Sequence, residues 1–302
     1  MKHPFATLDV FTNKTFAGNP LAVVEDCDGL SDADMQAVAR EFNLSETVFL
    51  TTPERTAHSA GMRIFTPGTE LPFAGHPTIG TAVFLATRKA AALDTSEVLI
   101  VLEQKIGIVR IGVRFRADEA AFAEFDVPKL PEDIGDPPSI EHLADALNLL
   151  PSEIGFQNHK PTKFSAGVPY TLVPVASIEA VRRAGVNAKS WSAAFGRSGH
   201  NAAYVYSRET ESASAQFHAR MFVPGSGILE DPATGSAAAA FAGAIARFDN
   251  PPAGWHKRVI EQGYEMGRPS RLVVSVEMAS GQLETVRIGG HAVMVSDGVL
   301  YR

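Results

Sequence analysis

Two short stretches of this 302-residue chain decide its fold: HPTIGTA at residues 76–82 and DPATGSA at residues 231–237. Both follow one pattern, which is His or Asp, then Pro, two variable residues, Gly, Thr or Ser, and Ala. The segments that they open, residues 77–86 and 232–246, are apolar or small almost all the way round. A helix without a polar face must be buried on all sides, and these segments are too short to cross a membrane. The sequence therefore predicts two central helices, each enclosed by a curved sheet.

Other landmarks recur in the same order and indicate a duplicated domain. A Gly/Pro turn followed by a strand occurs at residues 17–24 and 166–173, and Phe-x-Pro-Gly occurs at 65–68 and 222–225. The copies lie 149 residues apart (17 to 166), 157 apart (65 to 222) and 155 apart (76 to 231). Such consistent spacing favours duplication over chance. A Pro-rich stretch at residues 126–138 predicts a linker, so we expect half-domains at residues 1–128 and 129–302, an arrangement that allows the last strand to return to the first half.

Alternating β-branched and polar residues predict seven strands in each half. The predicted strands are residues 7–11, 21–24, 47–50, 60–65, 97–102, 107–114 and 121–125, followed by 170–175, 202–206, 216–222, 257–262, 271–277, 284–288 and 291–295. One surface helix begins after Ser31, with Asp34 three residues later, and turns Met35, Val38, Ala39 and Phe42 inward. A second is predicted at residues 140–149. The fold class is α+β.

Composition excludes several classes of function. The net charge of −7 gives no general attraction to nucleic acid or to an anionic membrane. The single cysteine, Cys27, rules out a disulfide within the chain, and a reduced, cytoplasmic location is expected. The histidines show no His-x-x-x-His spacing, so no metal site is predicted. Residues 225–227, Gly-Ser-Gly, lack the third glycine of a dinucleotide loop and are interpreted as a turn.

The residues that could take part in catalysis or binding cluster around the two predicted helix starts. Because proline is favoured at the first position of a helix, His76 and Asp231 are predicted to be the two N-caps. A helix start presents free N–H groups and binds anions, so two such starts facing each other across a cleft would bind a small anionic substrate. Glu46 precedes a strand, and its counterpart region, residues 201–204, has no carboxylate. An acid on one side only suits proton transfer by a single group.

These residues carry a family resemblance. The stretches NLSET (43–47), FAGHPTIGT (73–81) and EDPATGSAA (230–238) resemble the signatures of PhzF-type phenazine-biosynthesis proteins, and residues 11–24 and 262–270 also match. The resemblance implies a diaminopimelate epimerase-like fold, with two pseudo-symmetric halves that each wrap a mostly antiparallel, barrel-like sheet around a central helix. It also implies a homodimeric isomerase without metal or cofactor, similar to trans-2,3-dihydro-3-hydroxyanthranilate isomerase.

The same resemblance implies the role of each site residue. Glu46 would take a proton from carbon 3 of the substrate and return it at carbon 1, while His76 and Asp231 bind and polarise the substrate. The implied substrate-binding residues are Asn19, Ser45, Gly75, Thr234, Gly235 and Ser236. Related racemases use two facing cysteines at the helix starts, and this chain, with His76 and Asp231 there, cannot use that mechanism.

Two other functions stay open at this stage. Ser236, His76 and Asp231 could form a hydrolase triad, although Ala238 stands where a nucleophile elbow has its second glycine. Alternatively, the chain could bind a small molecule in the same pocket without turning it over.

Overall fold

In the computed structural model, which describes residues 2–93, 95–196, 202–224 and 228–302, the chain divides into two compact units. The first comprises residues 1–126 and 289–302, and the second comprises residues 127–288. The last strand contributes its first residues to the second unit and its last residues to the first.

The first unit is a closed sheet around one helix. Its elements are β1 (Lys2–Val10), β2 (Asn19–Val24), α1 (Asp32–Phe42), β3 (Glu46–Thr51), β4 (Ala60–Phe65), β5 (Glu70–Leu71), α2 (Gly75–Leu93), β6 (Glu97–Gln104), β7 (Gly107–Arg114) and β8 (Phe122–Asp126). Neighbouring strands pair in the circular order β1, β2, β3, β4, β6, β7, β8 and the last strand, which returns to β1. The β2–β3 and β4–β6 pairs are parallel, whereas β1–β2, β3–β4, β6–β7 and β7–β8 are antiparallel.

Helix α2 is the predicted central helix of the first unit. It packs against β1, β2, β3, β6, β7 and β8, and Ile79, Ala82 and Val83 are buried. A Cβ atom on Gly80 would lie 2.5 Å from the Cδ2 atom of Leu21, so glycine lets the helix approach the sheet. The prediction of a helix enclosed by its own sheet is confirmed.

The second unit repeats this plan. Its elements are β9 (Glu132–Asp133), α3 (Ile140–Leu147), a 3-10 turn (Pro151–Glu153), β10 (Thr162–Ser165), β11 (Pro169–Pro174), α4 (Ile178–Arg183), α5 (Ala188–Phe195), β12 (Ala203–Ser207), β13 (Phe217–Phe222), β14 (Glu230–Asp231), α6 (Gly235–Ala244), a π-turn (Ile245–Asp249), β15 (Gly254–Gln262), β16 (Ser270–Ala279) and β17 (Gln282–Tyr301). The β11–β12 and β13–β15 pairs are parallel, as are their counterparts in the first unit.

Helix α6 is the second central helix. All its residues except Ser236 are buried, and it packs against β9, β10, β11 and β16. Its surface is almost entirely alanine and glycine, which allows close contact: a Cβ atom on Gly243 would lie 2.5 Å from the Phe164 ring. Small residues therefore fix how tightly the sheet closes on this helix.

The surface helices follow their sequence signals. Ser31 and Asp34 form a reciprocal capping box at the start of α1, and Asn43 ends the helix in the left-handed conformation. The inward residues Met35 and Ala39 are buried. Helix α3 ends at Leu147, two residues earlier than predicted, because Asn148 adopts the left-handed conformation.

One predicted division between strands is wrong. The strands expected at 284–288 and 291–295 are one strand, β17, because Gly289 and Gly290 do not form a turn. Instead, a Cβ atom on Gly290 would lie 2.4 Å from the Phe11 ring, so glycine is needed there for a close contact. The division between the two units falls within the Pro-rich stretch 126–138, which also contains the short strand β9, paired with β10. Residues 225–227, interpreted as a turn, lie outside the described residues.

Repeated side-chain contacts show which residues of the two units are equivalent. Arg63 binds Glu70 through two hydrogen bonds of 2.8 Å each, and Arg220 binds Glu230 through two of 2.8 and 2.7 Å. The carboxylates of Glu103 and Glu261, each one residue before the end of its strand, accept two backbone N–H groups from the loop between the preceding two long strands. The two units therefore share these ion pairs and hydrogen bonds as well as their arrangement of strands.

These equivalences correct the predicted match between the helix starts. The short strands β5 and β14 pair with Ile64–Phe65 and Met221–Phe222 respectively, and α2 and α6 both begin four residues after those strands end, at Gly75 and Gly235. The helix starts therefore lie 160 residues apart (75 to 235) instead of 155. His76 is equivalent to Ser236, and Asp231 is equivalent to Leu71. The predicted equivalence of His76 with Asp231 is wrong.

Candidate functional site

Glu46 and His76 come together in the first unit. Glu46 is the first residue of β3, beside Leu21 of β2, and His76 is the second residue of α2. The Glu46 Oε2 atom lies 3.0 Å from the His76 Nδ1 atom, and the side chains are 17% and 4% exposed. This contact is short enough for an ion pair but does not have the geometry of a hydrogen bond. Among the described residues, Glu46 Oε2 has no hydrogen-bond partner, and neither has the other imidazole nitrogen, His76 Nε2. A carboxylate and an imidazole thus share an enclosed site with unused hydrogen-bonding capacity.

His76 is not the N-cap that the sequence predicted. Helix α2 begins two residues before Pro77, because the N–H and hydroxyl of Thr78 both donate to the Ala74 carbonyl, at 3.3 and 2.7 Å. Proline is tolerated at the third helical position, where its missing N–H would have no partner within the helix. His76 is therefore held within the first turn of the helix.

Two further predicted residues flank this pair in the sheet. Asn19 is the first residue of β2 and is fully buried, and Ser45 immediately precedes β3. Gly75 opens α2. The first unit thus holds Asn19, Ser45, Glu46, Gly75 and His76.

Asp231 is also not an N-cap. It lies in β14, where it pairs with Met221, and the N-cap of α6 is Thr234. The Thr234 hydroxyl donates to Asp231 Oδ2 over 2.6 Å, and both residues are buried. The carboxylate therefore lies beside the helix start and is held by its capping residue.

Gly235 and Ser236 form the first turn of α6. The Ser236 hydroxyl lies 2.6 Å from the Tyr170 hydroxyl, so its described partner is a phenol and not the histidine base that a hydrolase nucleophile needs. This contact gives no support to the hydrolase alternative.

A buried charged cluster supports the turn that contains Asp231. The His218 imidazole lies 3.2 Å from Glu261 and 2.9 Å from Glu265. Burial alone would lower the pKa of His218, but the hydrogen bonds to Glu261 and Glu265 raise it to about 9. Glu265 lies in the turn after β15, in which a Cβ atom on Gly263 would lie 2.5 Å from the Pro232 carbonyl oxygen. The cluster thus anchors the segment that packs behind Asp231.

The sequence interpretation missed two residues that contact the start of α6 and the turn before it, Gln262 and Tyr170. Gln262, fully buried at the end of β15, hydrogen bonds to both Asp231 and Thr234. One signal was available for it: β6 and β15 both end in Glu-Gln, at residues 103–104 and 261–262. No pattern in the sequence marks Tyr170, because its partner Ser236 belongs to α6, 66 residues further along the chain.

The described residues contain no group of three or more His, Cys, Asp or Glu side chains placed to hold a metal ion. Burial raises the pKa of Cys27 to about 12, so this thiol is not a thiolate at neutral pH. Across the same described parts of the chain, no helix is both long and apolar enough to cross a membrane.

Comparison with known sequences identifies the family. The model of the family described as phenazine biosynthesis-like protein (PhzC-PhzF) matches residues 8–298. An uncharacterized isomerase of Mesorhizobium japonicum is 52% identical over 97% of both chains. The trans-2,3-dihydro-3-hydroxyanthranilate isomerase of Pseudomonas aeruginosa is 31% identical over 99% of both chains.

Comparison with solved structures agrees. A PhzF-family phenazine biosynthesis protein of Bacillus anthracis superposes with a TM-score of 0.89 at 26% identity, with all of both chains covered. A hydroxyproline epimerase of Agrobacterium vitis superposes with a TM-score of 0.61 at 14% identity, covering 99% of this chain and 92% of the other, which shows the fold alone. The predicted diaminopimelate epimerase-like fold is confirmed, and the chain belongs to the PhzC-PhzF family of phenazine biosynthesis-like proteins and is an isomerase.

Proposed function

We propose that the chain moves a proton within a small carboxylated metabolite, with Glu46 as the group that takes and returns the proton, and that it needs no metal or cofactor. The observation that carries this proposal is the enclosed pair of Glu46 and His76, 3.0 Å apart. A general base must reach its proton directly, and a carboxylate that is nearly buried beside a single imidazole keeps its second oxygen for the substrate. The known activity of the Pseudomonas aeruginosa relative supports a substrate of the type of trans-2,3-dihydro-3-hydroxyanthranilate.

His76 has a supporting role in this proposal. Its Nδ1 atom faces Glu46, while its Nε2 atom has no partner among the described residues. An imidazole with one nitrogen free can donate or accept a hydrogen bond at a polar group of the substrate as charge develops there. The first N–H groups of α2, at Gly75 and His76, are suited to a substrate carboxylate. Asn19 and Ser45 complete the proposed contacts from the first unit.

The second unit supplies the remaining proposed contacts. Asp231 would accept a hydrogen bond from a substrate N–H or O–H group, while the first turn of α6, with Thr234, Gly235 and Ser236, would provide donors. In this proposal the proton-transfer group belongs to the first unit.

The decisive variant is Glu46→Gln, which keeps the shape of the side chain and removes its ability to take a proton. With trans-2,3-dihydro-3-hydroxyanthranilate deuterated at carbon 3 as the probe, we expect the wild-type chain to move that deuterium to carbon 1 or to lose it to solvent, and Glu46→Gln to lose at least 10³-fold in turnover. Glu41→Gln, on the exposed face of α1, is the matched control and should behave as wild type.

Three results would count against the proposal. Retained turnover in Glu46→Gln would contradict the role of Glu46 as the base, and product that keeps a deuterium placed at carbon 3 of the substrate would show that this proton is not transferred. Saturable binding of the probe without any conversion would favour the alternative of a binding protein.

Assembly and cofactor independence are tested separately. We propose a homodimer, so light scattering should give about twice the 32.3 kDa of one chain. Turnover that survives dialysis against a chelator would support chemistry without a metal, and loss of turnover that is restored by a divalent ion would contradict it.

A further inference from the structure

The side-chain amide of Gln262 has a fixed orientation. Gln262 is fully buried at the end of β15. Its Nε2 atom donates to the Asp231 backbone carbonyl over 2.8 Å, and its Oε1 atom accepts the Thr234 backbone N–H over 3.3 Å. A carbonyl can only accept and an N–H can only donate, so exchanging the amide oxygen and nitrogen would break both hydrogen bonds. The two backbone groups decide which end of the amide faces which partner.

This orientation determines the direction of the next hydrogen bond. The Gln262 Nε2 atom also donates to the Thr234 hydroxyl oxygen over 3.0 Å. A hydroxyl carries one proton, and the only described acceptor for the proton of this hydroxyl is Asp231 Oδ2, 2.6 Å away. Since Gln262 occupies a lone pair of Thr234, the Thr234 proton points to Asp231. A carboxylate that receives such a hydrogen bond is stabilised in its charged form.

We propose that Gln262 is a positioning residue, which acts through Thr234 to keep Asp231 ionised and ready to accept a hydrogen bond from the substrate. The role of Asp231 toward the substrate rests on the proposed function, whereas the effect of Gln262 on Asp231 does not. The hydrogen-bonded series Gln262–Thr234–Asp231 lies entirely within the second unit.

The first unit provides a natural comparison. Gln104 ends β6 as Gln262 ends β15, and its Nε2 atom donates to the Thr78 hydroxyl over 3.0 Å. That hydroxyl donates its hydrogen bond to the Ala74 carbonyl, over 2.7 Å, and not to a carboxylate. A glutamine amide bound to a threonine hydroxyl thus holds only the helix start in one unit and orients a carboxylate in the other, where the threonine stands four residues earlier relative to its helix.

The experiment measures the titration of the Asp231 carboxyl carbon by NMR, assigned from its loss in Asp231→Asn. Gln262→Met removes the amide and Thr234→Val removes the hydroxyl, and each should move the Asp231 midpoint to higher pH by about one pH unit. Thr234→Ser keeps the hydroxyl and should titrate as wild type. Gln104→Met, the matched control, should lower the melting temperature without moving the midpoint.

The same variants are then assayed for kcat/KM against pH with trans-2,3-dihydro-3-hydroxyanthranilate. The acidic limb should move with the NMR midpoint in Gln262→Met and Thr234→Val. An unmoved midpoint in folded Gln262→Met overturns the proposal. If that variant does not fold, equal midpoints in Thr234→Val and Thr234→Ser overturn it instead. A midpoint that moves while the acidic limb stays supports the positioning by Gln262 and contradicts only the assigned role of Asp231 toward the substrate.

Discussion

The starts of α2 and α6 share a scaffold and differ in nearly every polar side chain. His76 corresponds to Ser236, Leu71 to Asp231, and Ala74 to Thr234. The register of β3 on β4 and of β12 on β13 makes Glu46 correspond to Ala202. The pair of Glu46 and His76 thus lies in one unit, and the hydrogen-bonded carboxylate of Asp231 lies in the other, at a different place relative to its helix.

What was duplicated is the set of contacts that fixes the backbone. The Arg–Glu pairs and the carboxylates that accept loop N–H groups recur in both units, because both sheets need the same turns closed. The side chains of Glu46, His76 and Asp231 are not part of those contacts, and none of the three is repeated at the equivalent position of the other unit. Equivalence in the scaffold therefore does not predict equivalence in chemistry.

The largest test of this contrast compares His76 with Ser236 at equivalent positions. His76→Ala should lower kcat/KM by about 10² or more, since it removes the imidazole beside the base, while Ser236→Ala should cost about tenfold or less because it removes one neutral hydrogen bond. Steady-state kinetics with the relative's substrate and circular dichroism of both variants measure this. Equal losses would mean that the two helix starts contribute equally, contrary to the asymmetry described above.

A second test compares the two Arg–Glu pairs. Arg220→Met should lower the free energy of unfolding by about 3 kcal/mol, since it leaves Glu230 unpaired and removes hydrogen bonds to three carbonyls at the end of α4. Arg63→Met should cost about 2 kcal/mol, because Arg63 is more exposed, at 23% against 11%, and its further hydrogen bond goes to the exposed carboxylate of Asp32. Urea unfolding measures both. A larger loss for Arg63→Met would show that the pairs do not contribute as their surroundings indicate.

The smallest effect concerns the charged cluster around His218. In the first unit Gly61 stands at the equivalent position, and Glu103, the counterpart of Glu261, contacts His58 of the preceding loop instead. The folded-state pKa of His218, about 9, lies above its ordinary value of 6.5, so the stabilisation is complete below pH 6.5 and is lost as the pH rises through 9. We expect the wild type to lose about 2 kcal/mol over that range.

Thermal unfolding at several pH values tests this. The variant His218→Met should be less stable throughout and should lose the decline above pH 6.5, while the exposed control Glu41→Gln should keep it. Hydrogen bonding to His218 also lowers the pKa of Glu261 and Glu265 against the effect of burial, so a second decline is expected below about pH 4.5. A decline above pH 6.5 that persists in His218→Met would assign it to another group.

The sequence by itself determined the two buried helices, the strands around them, the caps of α1 and the family. These features depend on local pattern: an apolar surface all round a helix, alternation along a strand, and a capping box at Ser31 and Asp34. The residues Glu46, His76 and Asp231 could also be selected from the sequence, since their motifs are specific.

Only the tertiary structure decided how those residues are held. The preference of proline for the first helical position predicted the wrong N-cap for both helices. The start of α2 depends on the hydrogen bonds of Thr78, and the position of Asp231 before α6 depends on the pairing of β14 with β13. Gly289 and Gly290 were interpreted as a break between two strands, because the close contact of Gly290 with the Phe11 ring cannot be seen in a linear sequence. The contacts of Gln262 and Tyr170 join residues 28 to 66 positions apart, and long-range pairing of this kind is fixed by the closure of the sheets and by no local preference.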